Sequence, residues 1–199
     1  MEALSLSAQE EILRAAVSLF SKKGYAGTGV QEILDEVGLS KPTLYYHFES
    51  KAGLFRAIVN HAYDEAYRLM RSAVDAAQDM EKKLVAAVDA LFQFTLANQD
   101  LTRLMFATVF AGSEEIPPEV LNETKRRRNL EVVEQVLRQG QRRGEISSGY
   151  ELRDFTHAIF GAVSHRIRTF LLTGEGELTR ETAENVVRLF LNGAEKRAK

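Results

Sequence analysis

Cysteine and tryptophan are absent from this chain, and proline occurs only three times. Without cysteine there is no disulfide, no thiolate metal site and no cysteine nucleophile, which suits a reducing cytoplasm. Apolar runs are short as well. None approaches the roughly 18 residues that would span a bilayer, and the stretch from Met1 to Gln9 lacks the basic flank and apolar run of a signal peptide. A soluble, cytoplasmic protein with no membrane partner is therefore expected. Charge of one sign is also missing: 26 basic side chains face 28 acidic ones, a net charge of -2. That balance argues against a generic polyanion binder, whose signature is a basic domain. The first 56 residues are no more basic, with Arg14, Lys22, Lys23, Lys41, Lys51 and Arg56 set against Glu2, Glu10, Glu11, Glu32, Asp35, Glu36 and Glu49. If this part meets DNA, the placement of its charges has to do what their sum does not.

What the chain has is hydrophobic material at helical spacing. Its 199 residues are 45% hydrophobic, enough to close a core without staples. Ile12, Leu13, Ala16, Leu19 and Phe20 mark a helix from Ala8 to Lys22 that Gly24 ends. Val30, Ile33, Leu34 and Val37 mark a second, short helix with Thr28 upstream as a candidate cap, and Gly38 stops it. Ser40 caps a third, with Pro42 in its first turn, where a missing N–H costs nothing, and the helix ends near His47. Ser50 caps a fourth, which runs through Leu54, Phe55, Ile58, Val59 and Ala62 past Tyr67 and connects the first three helices to the remainder of the chain. Further helices are predicted at about Glu81 to Ala97, Leu101 to Phe110, Pro118 to Arg143, Leu152 to Thr173 and Thr179 to Lys196. No strand pattern competes. The fold class is all-α, with residues 1–49 as an N-terminal three-helix domain and 50–199 as a larger helical domain.

The second and third helices, joined by Gly38-Leu39-Ser40, have the proportions of a helix-turn-helix. Its tight glycine turn lets the second member stand out into a major groove about 12 Å wide. Lys41, Thr43, Tyr45, Tyr46 and His47 put donors and flat rings on a third helix too short and polar to be pure core. Leu44 and Phe48 are its candidate anchors, and Tyr25 is read as a core plug. For the exposed rings and lysines the alternatives are surface packing and plain solvation.

Gly24-Tyr25, Thr28, Val30, Ile33, Val37-Gly38-Leu39-Ser40-Lys41, Thr43-Leu44-Tyr45, His47-Phe48 and Ser50-Lys51 closely resemble the signature of TetR-type (tetracycline-repressor-like) transcriptional regulators over Ile12 to Phe55. The resemblance implies a DNA-binding helix-turn-helix domain followed by a helical domain for effector binding and dimerisation. It also implies double-stranded operator DNA, a small-molecule effector and a second copy of the chain as partners. Carried over by position, Lys41, Pro42 and Thr43 face the bases, with Tyr45 at the groove side, while Thr28, Tyr46, His47 and Lys51 anchor the DNA backbone. At Gly29 the chain departs from the usual Ser or Thr, so a hydroxyl contact and a cap are lost unless Thr28 supplies them.

Beyond Ser50 the sequence is less specific. Phe92, Phe94, Met105, Phe106 and Phe110 are candidate walls of an effector pocket as a group, although aromatics at helical spacing are more often core. His157 and His165 are candidates to orient a ligand, or else to bond across an interface. The last two helices are implied by the resemblance to form the homodimer interface, where Ala158, Gly161 and Ala162 allow close approach and Val186, Leu189 and Phe190 add an apolar stripe. Lys125-Arg126-Arg127-Arg128, with Glu123 and Glu131 nearby, reads as a salt-bridged, solvated helix face. There is no Gly-rich phosphate loop, no nucleophile elbow and no His pair at metal spacing. No catalytic residue, metal or cofactor is expected, which puts a ligand-released repressor first, with a helical protein adaptor as the alternative and a helical enzyme a distant third.

Overall fold

The computed structural model describes residues 7–110, 116–120, 122–147, 149 and 151–192, with backbone alone for Phe110 and Glu119. Among these, the elements are α1 (Ala8–Gly27), α2 (Val30–Val37), α3 (Lys41–Phe48), α4 (Lys51–Ala76), α5 (Met80–Ala97), α6 (Gln99–Phe110), a 3-10 turn (Pro118–Val120), α7 (Glu123–Arg142), α8 (Leu152–Thr173) and α9 (Arg180–Asn192). The single helix predicted from Pro118 to Arg143 is thus a 3-10 turn followed by α7. The predicted end of the last helix, at Lys196, lies outside the described residues.

Local chemistry sets most of these ends. Ser7 opens α1 with a capping box: its hydroxyl accepts from the Glu10 N–H while the Glu10 carboxylate accepts from the Ser7 N–H. The helix breaks at Gly24, where φ 73 and ψ 172 are open only to glycine, and one further turn carries the chain to Gly27. Gly38, at φ 66 and ψ 26, closes α2 with its N–H on the Leu34 carbonyl, which is the left-handed cap that the turn demands.

The chain divides into two compact units. The first comprises Met1–Ala62 and Asn98–Asn122, the second Tyr63–Ala97 and Glu123–Lys199. In the first unit α1 packs against α2, α3 and α6. Its core is built from Ile12, Ala16 and Phe20 of α1, Ile33 and Leu34 of α2, Leu44 of α3, and Leu54 and Phe55 of α4. Phe20 and Phe55 meet edge to face with ring centroids 4.9 Å apart, and Tyr25 completes the aromatic group at 5.1 Å from Phe55.

In the second unit α5 is the central member, packed against α7, α8 and α9, while α7 packs on α8 and α8 on α9. Leu84 and Phe92 of α5, Val132 and Leu137 of α7, Ile159 and Val163 of α8, and Ala183 and Val187 of α9 are all buried there. The sequence boundary at residue 49 marks the junction of α3 with α4. That helix continues through both units without interruption.

Candidate nucleic-acid interface

The eight residues of α3 sort cleanly by side. Leu44 and Phe48, one turn apart, are buried, whereas Lys41, Pro42, Tyr45 and Tyr46 are exposed. Thr43 and His47 are half-buried between them. The Ser40 hydroxyl lies 3.1 Å from that of Thr43, and the Ser40 carbonyl receives the Thr43 N–H at 3.0 Å, so the first turn is closed locally. Two buried anchors hold the helix, and Lys41, Tyr45 and Tyr46 face outward.

The mounting of α3 is tight at its far end. Glu49 takes φ 64, a positive value that costs a non-glycine residue about 1–3 kcal/mol, and its N–H bonds the Tyr45 carbonyl at 2.9 Å. Ser50 then caps α4, its hydroxyl accepting from the Gly53 N–H at 2.9 Å. Gly53 comes so close to the end of α3 that a Cβ there would sit 2.0 Å from the Phe48 carbonyl oxygen. A helix ends, reverses and restarts within two residues, which leaves α3 little freedom to tilt against the first turn of α4.

Charges around the motif are engaged selectively. Lys23 is paired with Glu32 of α2, and the hydrogen bond from that lysine holds the Glu32 carboxyl below its ordinary value. The Lys51 ammonium lies 4.4 Å from the Tyr25 ring centroid, a cation–π contact, and partial burial lowers its pKa. Lys41, by contrast, is exposed at the start of the outward face. Placement thus puts one exposed lysine and two exposed phenol rings on α3, which the net charge of -2 does not announce.

Thr28 sits otherwise than the sequence suggested. It is buried at the end of α1, its hydroxyl donates to the Gly24 carbonyl at 2.8 Å, and α2 begins at Gly29 without a side-chain cap. Because Gly24 turns its carbonyl back toward the following turn, the hydroxyl is drawn inward instead of serving as an outward anchor.

The remaining candidate residues fall in several places. Phe92 and Phe94 are packed in the core of the second unit, Met105 and Phe106 are half-buried in the first, and the side chain of Phe110 lies outside the described residues. They do not form one cluster within either unit. His157 and His165 are exposed on α8, with His165 Nδ1 3.2 Å from the Arg168 guanidinium. An open groove of about 360 Å³ between α8 and α9 is lined by Ala162, His165, Arg166, Asn185, Val186 and Leu189 among others. Ala158 and Gly161 are exposed beside it. Phe190 is half-buried, its ring 6.1 Å from that of Phe155, and Val186 is buried on the inner side of α9, where it serves the protomer's own core. Sequence reading missed Leu172, an exposed apolar residue near the end of α8 whose only signal was its place on the solvent side of the helical period.

The family model described as bacterial regulatory proteins, tetR family, matches residues 12–58, and the model for the C-terminal region of YsiA-like protein matches residues 64–193. The uncharacterized HTH-type transcriptional regulator YdgC of Bacillus subtilis is 26% identical over 198 residues, which cover 97% of this chain and 95% of the relative. Among solved structures, the TetR family transcriptional regulator PfmR of Thermus thermophilus superposes with a TM-score of 0.78 at 26% identity, covering 93% of this chain and 99% of that one. The transcriptional regulator FadR of Bacillus subtilis, solved in complex with stearoyl-CoA, shares the fold with a TM-score of 0.82 at 18% identity, covering 94% and 99% of the two chains.

Proposed function

We propose that this chain, which belongs to the tetR family of bacterial regulatory proteins, is a cytoplasmic repressor that grips a palindromic operator as a homodimer and lets go when a small apolar or amphipathic effector binds. The observation that carries the reading is α3 itself, with Lys41, Pro42, Tyr45 and Tyr46 outward over buried Leu44 and Phe48. In a groove, Lys41 donates to guanine O6 or N7, and Pro42 with the Thr43 methyl meets a thymine methyl. Tyr45 works at the groove side, while Tyr46, His47 and Lys51 donate to phosphates.

Dimerisation has support from α8 and α9, which present exposed Leu172 and, lining an open groove between them, exposed Leu189. A homodimer carries two α3 helices, and a two-fold site would present its half-sites about one duplex turn, roughly 34–36 Å, apart. An effector acts by binding one spacing of the heads better than the other, because only differential affinity moves an equilibrium. FadR of Bacillus subtilis was solved with stearoyl-CoA, an amphipathic molecule, so that compound is the sensible first probe.

The test is a footprint on the DNA upstream of the protein's own gene, repeated with Lys41→Ala and with stearoyl-CoA. Protection of two half-sites about one turn apart, lost in the variant, is expected. Absence of protection even at low salt, where phosphate contacts are strongest, would overturn the DNA-binding reading and favour a protein adaptor.

A further inference from the structure

The outer side of α8 carries a pattern of side chains that matches itself when turned end to end. Buried Ile159, Val163 and Ile167 hold the helix to its own subunit. Opposite them, at spacings of three and four, Asp154, His157, Gly161, His165, Arg168 and Leu172 form one exposed stripe. Gly161 is the centre of its polar part. Asp154 and Arg168 stand seven positions to either side of it, and His157 and His165 stand four. Arg153 and Arg166 are exposed as well but lie off the stripe, on its flanks.

Among the described residues, two features of the stripe have no use inside the subunit. Gly161 lies in the interior of a helix, where glycine is less stable than alanine. It has no positive φ to require a glycine, and a Cβ there would meet nothing within 4 Å. The second feature is a pair of charges. Neither Asp154 nor Arg168 is in a salt bridge, and the one polar contact of Arg168 is to His165 Nδ1 at 3.2 Å, whereas Arg126, Arg127, Arg138 and Arg180 of the same unit are all paired with acids. Fourteen residues of helix, about 21 Å, keep Asp154 and Arg168 from each other.

At a two-fold interface residue i meets j while j meets i, so a face with this pattern is complementary to a second copy of itself. We propose that the outer face of α8 packs antiparallel on α8 of a second copy, with the two Gly161 residues at the crossing and Asp154 of each subunit bonded to Arg168 of the partner subunit. The inference rests on the homodimer reading and deepens it from a shared face to a register. Glycine at the crossing lets two backbones approach closely, which is the use that its place in the helix otherwise lacks. Arg168 has five N–H donors and gives one to His165, so two remain to grip a carboxylate. Because an arginine only donates, His165 accepts at Nδ1, and its Nε2–H is the donor available to His157 of the partner subunit. Leu172, beyond Arg168, continues the stripe with apolar area.

Sedimentation equilibrium of the full chain tests the register by exchanging charges. Asp154→Arg sets two like-charged pairs in every dimer, and Arg168→Asp does the same with the opposite sign. Each should raise the dimer dissociation constant about tenfold or more, although the two shift the net charge in opposite directions. Asp154→Arg and Arg168→Asp in one chain should bring the constant back to within about threefold of wild type. An equimolar mixture of the two single variants should recover likewise, since their heterodimer has both pairs restored. Recovery of this kind has only an intersubunit explanation, because the two positions are too far apart to pair within one helix. Gly161→Leu, which finds open space within the subunit, should also raise the constant about tenfold or more and leave the far-UV circular dichroism unchanged. A dimeric wild type that is indifferent to these single changes, or whose double variant is no tighter than the weaker single one, overturns the register and leaves the homodimer standing. A wild type that stays monomeric at every concentration overturns both.

Discussion

The most exposed large side chains on α3 and those on α8 and α9 turn outward with opposite chemistry. On α3 the exposed rings are Tyr45 at 47% and Tyr46 at 85%, whereas on α8 and α9 the exposed groups are Leu172 at 77% and Leu189 at 58%. A phenol has an apolar body and a polar tip, so it tolerates solvent and can donate to a hydrated, phosphate-rich partner. An isobutyl group has no such tip and gains only by leaving water. Exposure alone does not say what a surface is for, but the kind of side chain exposed separates a wet partner from a dry one.

The comparison breaks most visibly at the leucines. Fully burying one is worth about 1.5–3 kcal/mol, and at a two-fold interface every substitution appears twice. Leu172→Glu combined with Leu189→Glu should therefore raise the dimer dissociation constant about a thousandfold or more, read by sedimentation equilibrium. Because both positions are exposed within the protomer, the far-UV circular dichroism should stay as it is. An undiminished dimer mass would remove this face from the interface.

A smaller effect is expected on α3. Lys41→Ala should cost operator affinity about 1–3 kcal/mol, roughly ten- to a hundredfold, together with discrimination at one base pair. Lys51→Gln should weaken all sequences alike and reduce the slope of affinity against salt by about 1. Neither change should alter the dimer mass. Equal loss on specific and random DNA in Lys41→Ala would move that residue from the bases to the phosphates.

Smaller still is the effect of disturbing the mounting of α3 without touching its outward face. A Cβ at Gly53 has the Phe48 carbonyl oxygen in its way, and crowding of this kind costs about 1–3 kcal/mol. Gly53→Ala should lower Tm and weaken the operator footprint while Lys41, Tyr45 and Tyr46 remain in place. Unchanged Tm and affinity would show that α3 is not held from this end.

Much of the wet surface was legible in the sequence, because its determinants are neighbours. Gly38 ends α2, Ser40 and Pro42 open α3, and the spacing of Leu44 and Phe48 fixes which side is buried. The dry half was legible as helices, and α8 runs over the predicted Leu152–Thr173. Partners were less readable. The direction of the Thr28 hydroxyl depends on a carbonyl that the break at Gly24 turns inward, and nothing in the composition around Glu49 announces a positive φ. Within Lys125 to Arg128, two arginines pair along α7 as helical spacing suggests, but Lys125 and Arg128 reach an aspartate 61 and 64 positions back. Periodicity identifies the face of a helix; which element covers that face is a tertiary fact.

Asp64 offers the gentlest test, because it belongs to neither outward surface. Its carboxyl is held below the ordinary value, so it binds protons less readily in the folded chain than in the unfolded one. The stabilisation is fully present above the unfolded aspartate pKa of about 3.9 and is lost as pH falls through the lower folded value. Asp64 is partly open to solvent, so the effect should stay below about 1 kcal/mol. Wild type should melt slightly above Asp64→Asn at neutral pH, and the two melting curves should converge in acid. A gap that persists unchanged to the acid limit would mean that the asparagine disturbs packing and that the ion pairs with Lys125 and Arg128 contribute nothing measurable. Equal dimer masses and equal operator footprints for the two proteins at neutral pH would show that both surfaces are set independently of the ion pairs that Asp64 makes with Lys125 and Arg128.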